Sequence, residues 1–375
     1  MIDTSNARKK LLGHFGKPVS GDDFWSETPL STKDDLRKIG LPAEFAEMRV
    51  TSGSTGEPLY VFYSKEAVES FTKRGIATME AIGVGKNDVL LNLYSYGSVG
   101  AGINIERVCN RMNIPILPFG APNTCPAEKV IDAIARTRPT AWVSVPSYAL
   151  RLLSMLETTC PGYAPKKIFA GGEELLDRQI ELFGGRGIEV YDAFGMTECR
   201  RVGISRKEEP KVFDVISQGL YVETENTENG TELILTDLNN FSTPIIRYRT
   251  NDIVKNVKYD PDGSVTAFEF GGRATDHIDI GGSIVSKSSM ANDMLAYSNE
   301  FLFYIKTGED MADAVDIVLP ESCITRENDI LSSLSYIHAK ISLVFAKKVN
   351  TFSIDSNKST YVIDLRNCKT NRSAS

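Results

Sequence analysis

Several features are missing from this sequence, and each absence narrows its chemistry. The six cysteines (Cys109, Cys125, Cys160, Cys199, Cys323 and Cys368) are scattered, form no C-x-x-C pair and have no histidine close by, which argues against a metal site. They read as reduced thiols of a cytosolic protein. There is no dense run of Lys or Arg, and the net formal charge is −7, so no nucleic-acid partner is expected. A nucleotide bound as a small molecule stays open, because that needs local donors and not global charge. No apolar run suits a bilayer: the longest uncharged stretch, Val89 to Ile105, is broken by Asn, Ser and Gly. The opening MIDTSNARKKLLGHFG has no apolar core of signal-peptide length. No internal repeat is present, and only the last few residues are compositionally biased. The expectation is a soluble cytoplasmic protein with no membrane partner.

The 375 residues, 42% hydrophobic and 24% charged, suit one large core with a smaller unit attached. From Val89 onward, apolar runs alternate with stretches of helical spacing. "VLLNLYS", "IPILPF", "AWVSV", "KKIFAGGE" and "IEVYDAFG" read as strands; "GAGINIERVCNRM", "AEKVIDAIART", "SYALRLLSML" and "LLDRQIELFG" read as helices. This rhythm predicts an α/β fold with a mainly parallel, helix-covered sheet whose ligands sit at the strands' carboxyl ends. After Arg200 come strands without helices, "GLYVETEN", "TELILTDL", "PIIRYRTNDIVKNV" and "SVTAFEFGG", with Asp262-Gly263 as a turn; these predict an antiparallel β subdomain. "STKDDLRKI" near the start predicts a short capped helix. The expected division is a large domain over 1–271, its antiparallel part over about 201–271, a glycine-flanked hinge over 272–285 and a small mobile α+β domain over 286–375. In the last, "RENDILSSLSYIHAKI" reads as a helix and "YVIDLR" as a strand.

The segment "VTSGSTGEP" cannot readily form a helix and precedes a strand-like "LYVFYS". Thr51, Ser52, Gly53, Ser54, Thr55 and Gly56 offer backbone and hydroxyl donors in a row, suited to phosphate oxygens or simply to a polar loop. It is not a Walker A loop, since Glu57 follows Gly56. Further along come "FAGGEE" (169–174), "YDAFGMTE" (191–198), "RYRTND" (247–252) and "GGRATD" (271–276). In that order these segments resemble the adenylate-forming superfamily of acyl-CoA ligases and adenylation domains, most closely its phenylacetate–CoA ligase branch. The hydroxyl loop resembles its phosphate loop, "FGMTE" its YGxTE motif, "YRTND" its YRTGD motif and "GGRATDHIDIGG" its hinge motif. "TPLSTKDDLR" and "SNKSTYVIDLR" resemble segments near the branch's two ends.

The resemblance implies activation of a carboxylic acid by ATP as an acyl-adenylate, with pyrophosphate released, then transfer to coenzyme A. It implies the phosphate loop for the β- and γ-phosphates, Thr197 for the α-phosphate and Glu198 for Mg²⁺. Phe194, with Asp192 and Gly195 beside it, would face adenine; Gly172 and Glu173 would border the base. Asp252 would take the ribose hydroxyls, Arg273 the ribose or phosphate, and Lys358 the reacting carboxylate. An acyl pocket is implied at Tyr94, Tyr96, Gly97, Gly100, Tyr148, Ala170 and Gly171, where the tyrosines suit an aryl or small planar acid and equally suit a core. The chain starts closer to the phosphate loop than the branch usually does, and Thr275 stands where the hinge usually has Asp. These departures keep two alternatives open: an enzyme that hands the acyl group to an acyl carrier protein's phosphopantetheine or to an amine, and a non-catalytic nucleotide-binding relative. A homodimer is implied by the branch alone.

Overall fold

The computed structural model describes residues 28–51, 57–273, 276–308, 312–349 and 361–366. Helix α1 (Lys33–Arg37) starts where the sequence places it. The Thr32 hydroxyl accepts from the Asp35 N–H, and the Asp35 carboxylate accepts from the Thr32 N–H, which satisfies two donors a helix start leaves open. Strands β1 (Glu47–Val50) and β2 (Tyr60–Tyr63) then pair antiparallel, with Val50 opposite Tyr60.

Helix α2 (Lys65–Ala81) was not legible from periodicity, and the reason is its buried polar side chains. Thr72, Arg74 and Thr78 on its inner face are fully buried. The two Nη atoms of Arg74 donate there to the carbonyls of Gln218 and Cys199, both at 2.8 Å.

The alternating region folds as read. Strands β3 (Leu90–Asn92), β4 (Ile116–Pro118), β5 (Ala141–Ser144), β6 (Lys167–Gly171) and β7 (Glu189–Met196) are parallel neighbours in the order β4-β3-β5-β6-β7. The connecting helices are α3 (Ala101–Met112), α4 (Ala127–Thr137), α5 (Pro146–Thr159) and α6 (Asp177–Gly184). Every residue of β3 and β5 is buried, as expected for strands covered on both faces.

The antiparallel strands do not form a separate sheet. β8 (Arg200–Ser205) turns back against β7, and β9 (Val212–Val215), β10 (Leu220–Thr227), β11 (Gly230–Asp237), β12 (Tyr248–Tyr259) and β13 (Val265–Arg273) extend the same sheet to eleven strands. The Asp262-Gly263 turn joins β12 to β13.

Beyond it, β14 (His277–Ile280) and β15 (Ser283–Ser286) form a hairpin leading into α7 (Lys287–Met294). A second sheet follows, built from β16 (Leu302–Thr307), β17 (Asp313–Pro320), β18 (Lys340–Ala346) and β19 (Val362–Asp364) in the order β18-β17-β16-β19. It has its own core around Met290, Phe301, Phe303 and Ile317. The helix expected over "RENDILSSLSYIHAKI" is shorter: α8 (Glu327–Ser333) ends in its serines, where the Ser333 hydroxyl bonds back to the Ile330 carbonyl, and Ile341 lies in β18.

Candidate active site

Two cavities meet at the carboxyl ends of β6 and β7. One is a cleft of about 380 Å³ between the large sheet and the smaller unit. The other is a pocket of about 250 Å³ inside the large unit. Their shared wall is Gly172, Ala193, Phe194 and Gly195. That wall is thin for a reason legible in the residues. A Cβ on Gly171 would meet the Tyr94 hydroxyl at 2.8 Å and the Ala193 carbonyl at 3.0 Å, and Gly172 holds a φ of +86° that turns the chain off β6.

The cleft gathers six of the residues expected at the nucleotide: Gly172, Glu173, Asp192, Phe194, Gly195 and Arg273. Phe194 sits in a cluster with Phe213 at 5.7 Å and Phe270 at 5.8 Å between centroids, and all three border the cleft as an apolar wall. Glu173 accepts from the Ser147 N–H at the start of α5. Burial pushes the Asp192 carboxyl up to about 7, with Lys211 pulling the other way. The smaller unit contributes Asp276, Lys287, Ser288 and Tyr361, none of them named from sequence. A signal was available for Tyr361, which follows Lys358 by three residues in the closing motif.

Asp252 and Arg273 stand opposite each other on β12 and β13, and the Arg273 Nε donates to Asp252 Oδ1 at 2.6 Å. The pairing of β11 with β12 shifts register nearby, and Asn251 has a φ of +60°, an irregularity that re-aims the Asp252 side chain. Glu232 pins the segment by accepting from Arg249 and from the Asn251 N–H. Asp252 is fully buried; burial pushes its carboxyl up and Arg273 opposes this. Its Oδ2 is shielded and meets no donor among the described residues, and Asp252 does not itself line the cleft. Glu198 is 6% exposed and accepts from the Tyr248 hydroxyl at 2.9 Å. The Thr197 carbonyl accepts from the Tyr63 hydroxyl, and Thr197 lines the pocket.

Of the acyl-pocket expectations, Tyr94 and Gly171 form walls of the 250 Å³ pocket and the others do not. The Tyr96 hydroxyl turns back to accept from the Asn92 side chain, and Gly97 is exposed. Gly100 faces the Arg49 side chain. Ala170 points away from the Gly171 face, as strand alternation requires, and it lies in the core with Tyr148. Unforeseen walls include Asn104, Arg200 and Arg201. The adjacent arginines of "CRRVGIS" directly after "FGMTE" were a readable signal, since a charged pair opening a buried strand is unusual.

Thr51 anchors one end of the hydroxyl loop: its N–H donates to the Leu59 carbonyl and its Oγ1 accepts from the Leu59 N–H, both at 3.0 Å. The neighbouring Val50 N–H donates to Ser98, a pocket residue. Ser52 to Gly56, Thr275, Lys358 and Cys368 lie outside the described residues.

A family model described as "AMP-binding enzyme" matches residues 7–228. The chain belongs to the AMP-binding enzyme family. Among curated relatives, this AMP-binding enzyme is 24% identical to phenylacetate–coenzyme A ligase of Escherichia coli over 311 residues, which span 75% of this chain and 70% of that one. Against the Aromatoleum evansii phenylacetate–coenzyme A ligase it is 25% identical, and the match spans only 60% of that protein's length. Among solved structures, 2-hydroxyisobutyryl-CoA ligase in the postadenylation state superposes with a TM-score of 0.74 at 19% identity, covering 96% of this chain and 85% of that one. In its thioesterification state the same ligase gives 0.60. The likeness establishes the fold: a large mixed sheet with helices and a smaller mixed sheet beside it.

Proposed function

We propose that the protein activates a small carboxylic acid with ATP, releasing pyrophosphate, and then passes the acyl group to coenzyme A. The observation that carries this reading is the seam of Gly172, Ala193, Phe194 and Gly195, where the cleft and the pocket open toward each other. Two reactants held in separate chambers with one common wall can meet end to end, which is what attack of a carboxylate on an α-phosphate needs. The cleft fits a nucleoside: the wall of Phe194, Phe213 and Phe270 offers an apolar face to a base, and Arg273, which lines the cleft, is held by the buried Asp252 behind it. The pocket's size fits a small acid and not a long acyl chain.

Because both reactants are anionic, this chain's residues act mainly by positioning and by neutralising charge. Thr51 and the loop that follows it would hold the outer phosphates, Thr197 the α-phosphate, and Lys358 the reacting carboxylate. Glu198 suits Mg²⁺, which binds through one or two carboxylates together with substrate phosphates. Mg²⁺ would supply charge neutralisation at the leaving pyrophosphate. The relatives' printed names, together with the resemblance, support coenzyme A as acceptor.

The test is acid-dependent ATP–pyrophosphate exchange with Mg²⁺ over benzoic, phenylacetic and short aliphatic acids. Exchange that requires an acid and falls at least about 100-fold in Lys358→Ala is expected. Absence of exchange with every acid, in protein shown to bind ATP, would replace this reading with a non-catalytic one.

A further inference from the structure

The acyl pocket carries positive charge with no acid to balance it. Arg200 and Arg201 line it and do not line the nucleotide cleft, and among the described residues no Asp or Glu is in its walls. Elsewhere the protein pairs its arginines with acids: the sheltered Arg247 with Glu223 at 2.8 Å, and the more exposed Arg249 with Glu232 and Arg273 with Asp252, both at 2.6 Å. Even the fully buried Arg74 faces Asp237 at 3.8 Å. Arg49, close to Arg200, is taken by Glu47 at 2.6 Å.

Arg201 has no such partner. Its guanidinium lies over the Phe169 ring at 4.3 Å, and its Nη1, shielded from water, meets no acceptor among the described residues. Burial pushes this guanidinium down to about 10, opposed by the neighbouring Tyr94 hydroxyl. Arg200 is 8% exposed and is held at a φ of +61°, a conformation a glycine would adopt at lower cost. It donates to the Val99 carbonyl at 2.9 Å and its guanidinium lies over the Tyr63 ring at 5.0 Å and the Phe71 ring at 5.6 Å. Asn104, 7% exposed on the same pocket wall, has an amide oxygen without a donor; turned over, the amide offers an NH₂. Buried donors left without acceptors are costly to a fold unless a ligand completes them.

We infer that the acid this enzyme activates carries a second anionic group, a carboxylate or an oxyanion of similar size. Arg201 holds it in the pocket. The reacting carboxylate stays at the seam with Thr197 and Gly195, so the two charges of the substrate are read by different groups. A planar guanidinium fork matches a carboxylate through two parallel hydrogen bonds and discriminates against an acid that lacks one. This inference rests on the pocket being the acyl chamber.

The experiment compares matched acids: phenylacetate against 4-carboxyphenylacetate, and butyrate against glutarate. Each is tested in pyrophosphate exchange and, separately, by calorimetric binding to the wild-type protein with a non-hydrolysable ATP analogue. The wild type is expected to prefer the dianionic member of a pair by at least about 100-fold in kcat/KM. In Arg201→Gln that ratio should fall toward one, mainly through KM, and Arg201→Lys should recover part of it. Equal or better use and binding of the monoanionic acids by the wild type would overturn the inference, and that comparison needs no variant to fold. An equal loss for both acids in Arg201→Gln, at normal circular dichroism, would also overturn it by making Arg201 a scaffold. If no acid supports exchange but dianions bind in an Arg201-dependent way, adenylation falls and the anion site stands.

Discussion

Arg273 illustrates how much a single side chain carries when its partner cannot reach water. Its side chain is 52% exposed, whereas that of Asp252 is fully buried. Removing the cation therefore leaves a buried carboxylate alone, while removing the carboxylate leaves an arginine that water can serve. Arg273→Gln is expected to destabilise the protein by about 2–3 kcal/mol, the lower part of the range for a broken buried pair because the pair is half open. Urea unfolding checks this, and a change below about 0.5 kcal/mol would mean that water already compensates Asp252.

Asp192 makes a prediction of opposite form. Its carboxyl is held up near 7 against an ordinary 3.8, so the folded protein favours the protonated acid. The stability this confers is present below about pH 4 and is lost as pH rises through 7, by at most about 4 kcal/mol at 1.36 kcal/mol per unit, and less because the side chain borders the cleft. Asp192→Asn should therefore gain stability relative to wild type between pH 4 and 7 and hold that gain above it. Parallel melting curves for both proteins across this range would show no divergence if the carboxyl titrates normally. Both residues were legible as site candidates because they lie in recognisable motifs. Their pairing and burial were not, since those depend on β12 lying against β13 and on the phenylalanine cluster beside Asp192.

At the scale of elements, the hairpin of β7 and β8 is where sheet and site are the same object. Gly195 lies opposite Arg201, and a Cβ there would meet the Arg200 carbonyl oxygen at 2.6 Å and the Arg201 Cα at 3.1 Å. Those neighbours are backbone and cannot turn aside. Gly195→Ala is expected to cost about 1–3 kcal/mol and to push β8 away from the seam, with it both pocket arginines. A crystal structure or the melting temperature of the variant would test this; an unchanged stability would mean that the β7–β8 turn gives way more easily than its packing implies. The parallel strands were readable because fully covered strands are short apolar runs between helices, and the helix over 127–137 was readable to the residue. β8 and β9 went unread because the first opens on two arginines and the second is four residues long. The inner polar face of α2 hid that helix from any reading that looks for an apolar stripe.

At the scale of the whole molecule, the 380 Å³ cleft exists only while the smaller unit stays against the larger one. Among the described residues, the hydrogen bonds that hold it there include Ser288 to Glu174 at 2.7 Å, the Arg178 N–H to the Asn292 side chain at 3.0 Å and Asn299 to Ser154 at 3.1 Å. Each such bond contributes about 1 kcal/mol net. Leu176 adds an apolar anchor, since it belongs to the smaller unit's core although it precedes α6 in the large one. An attachment built on contacts of this size is shifted by whatever ligand prefers one arrangement. The motif order pointed to a mobile unit but could not reveal this anchor, because Leu176 reads as an ordinary residue ahead of a helix. Leu176→Ala should loosen docking while leaving both cores folded. The Arg178 amide reports on this directly, since its N–H has no partner within α6 and is protected by Asn292 across the interface. Its hydrogen exchange is expected to speed about 10-fold in the variant, equivalent to about 1.4 kcal/mol of lost docking, with the amides of β5 and β6 unchanged. Equal acceleration in the sheet would mean that Leu176 stabilises the large unit itself, and no acceleration would mean that the polar contacts alone hold the cleft closed.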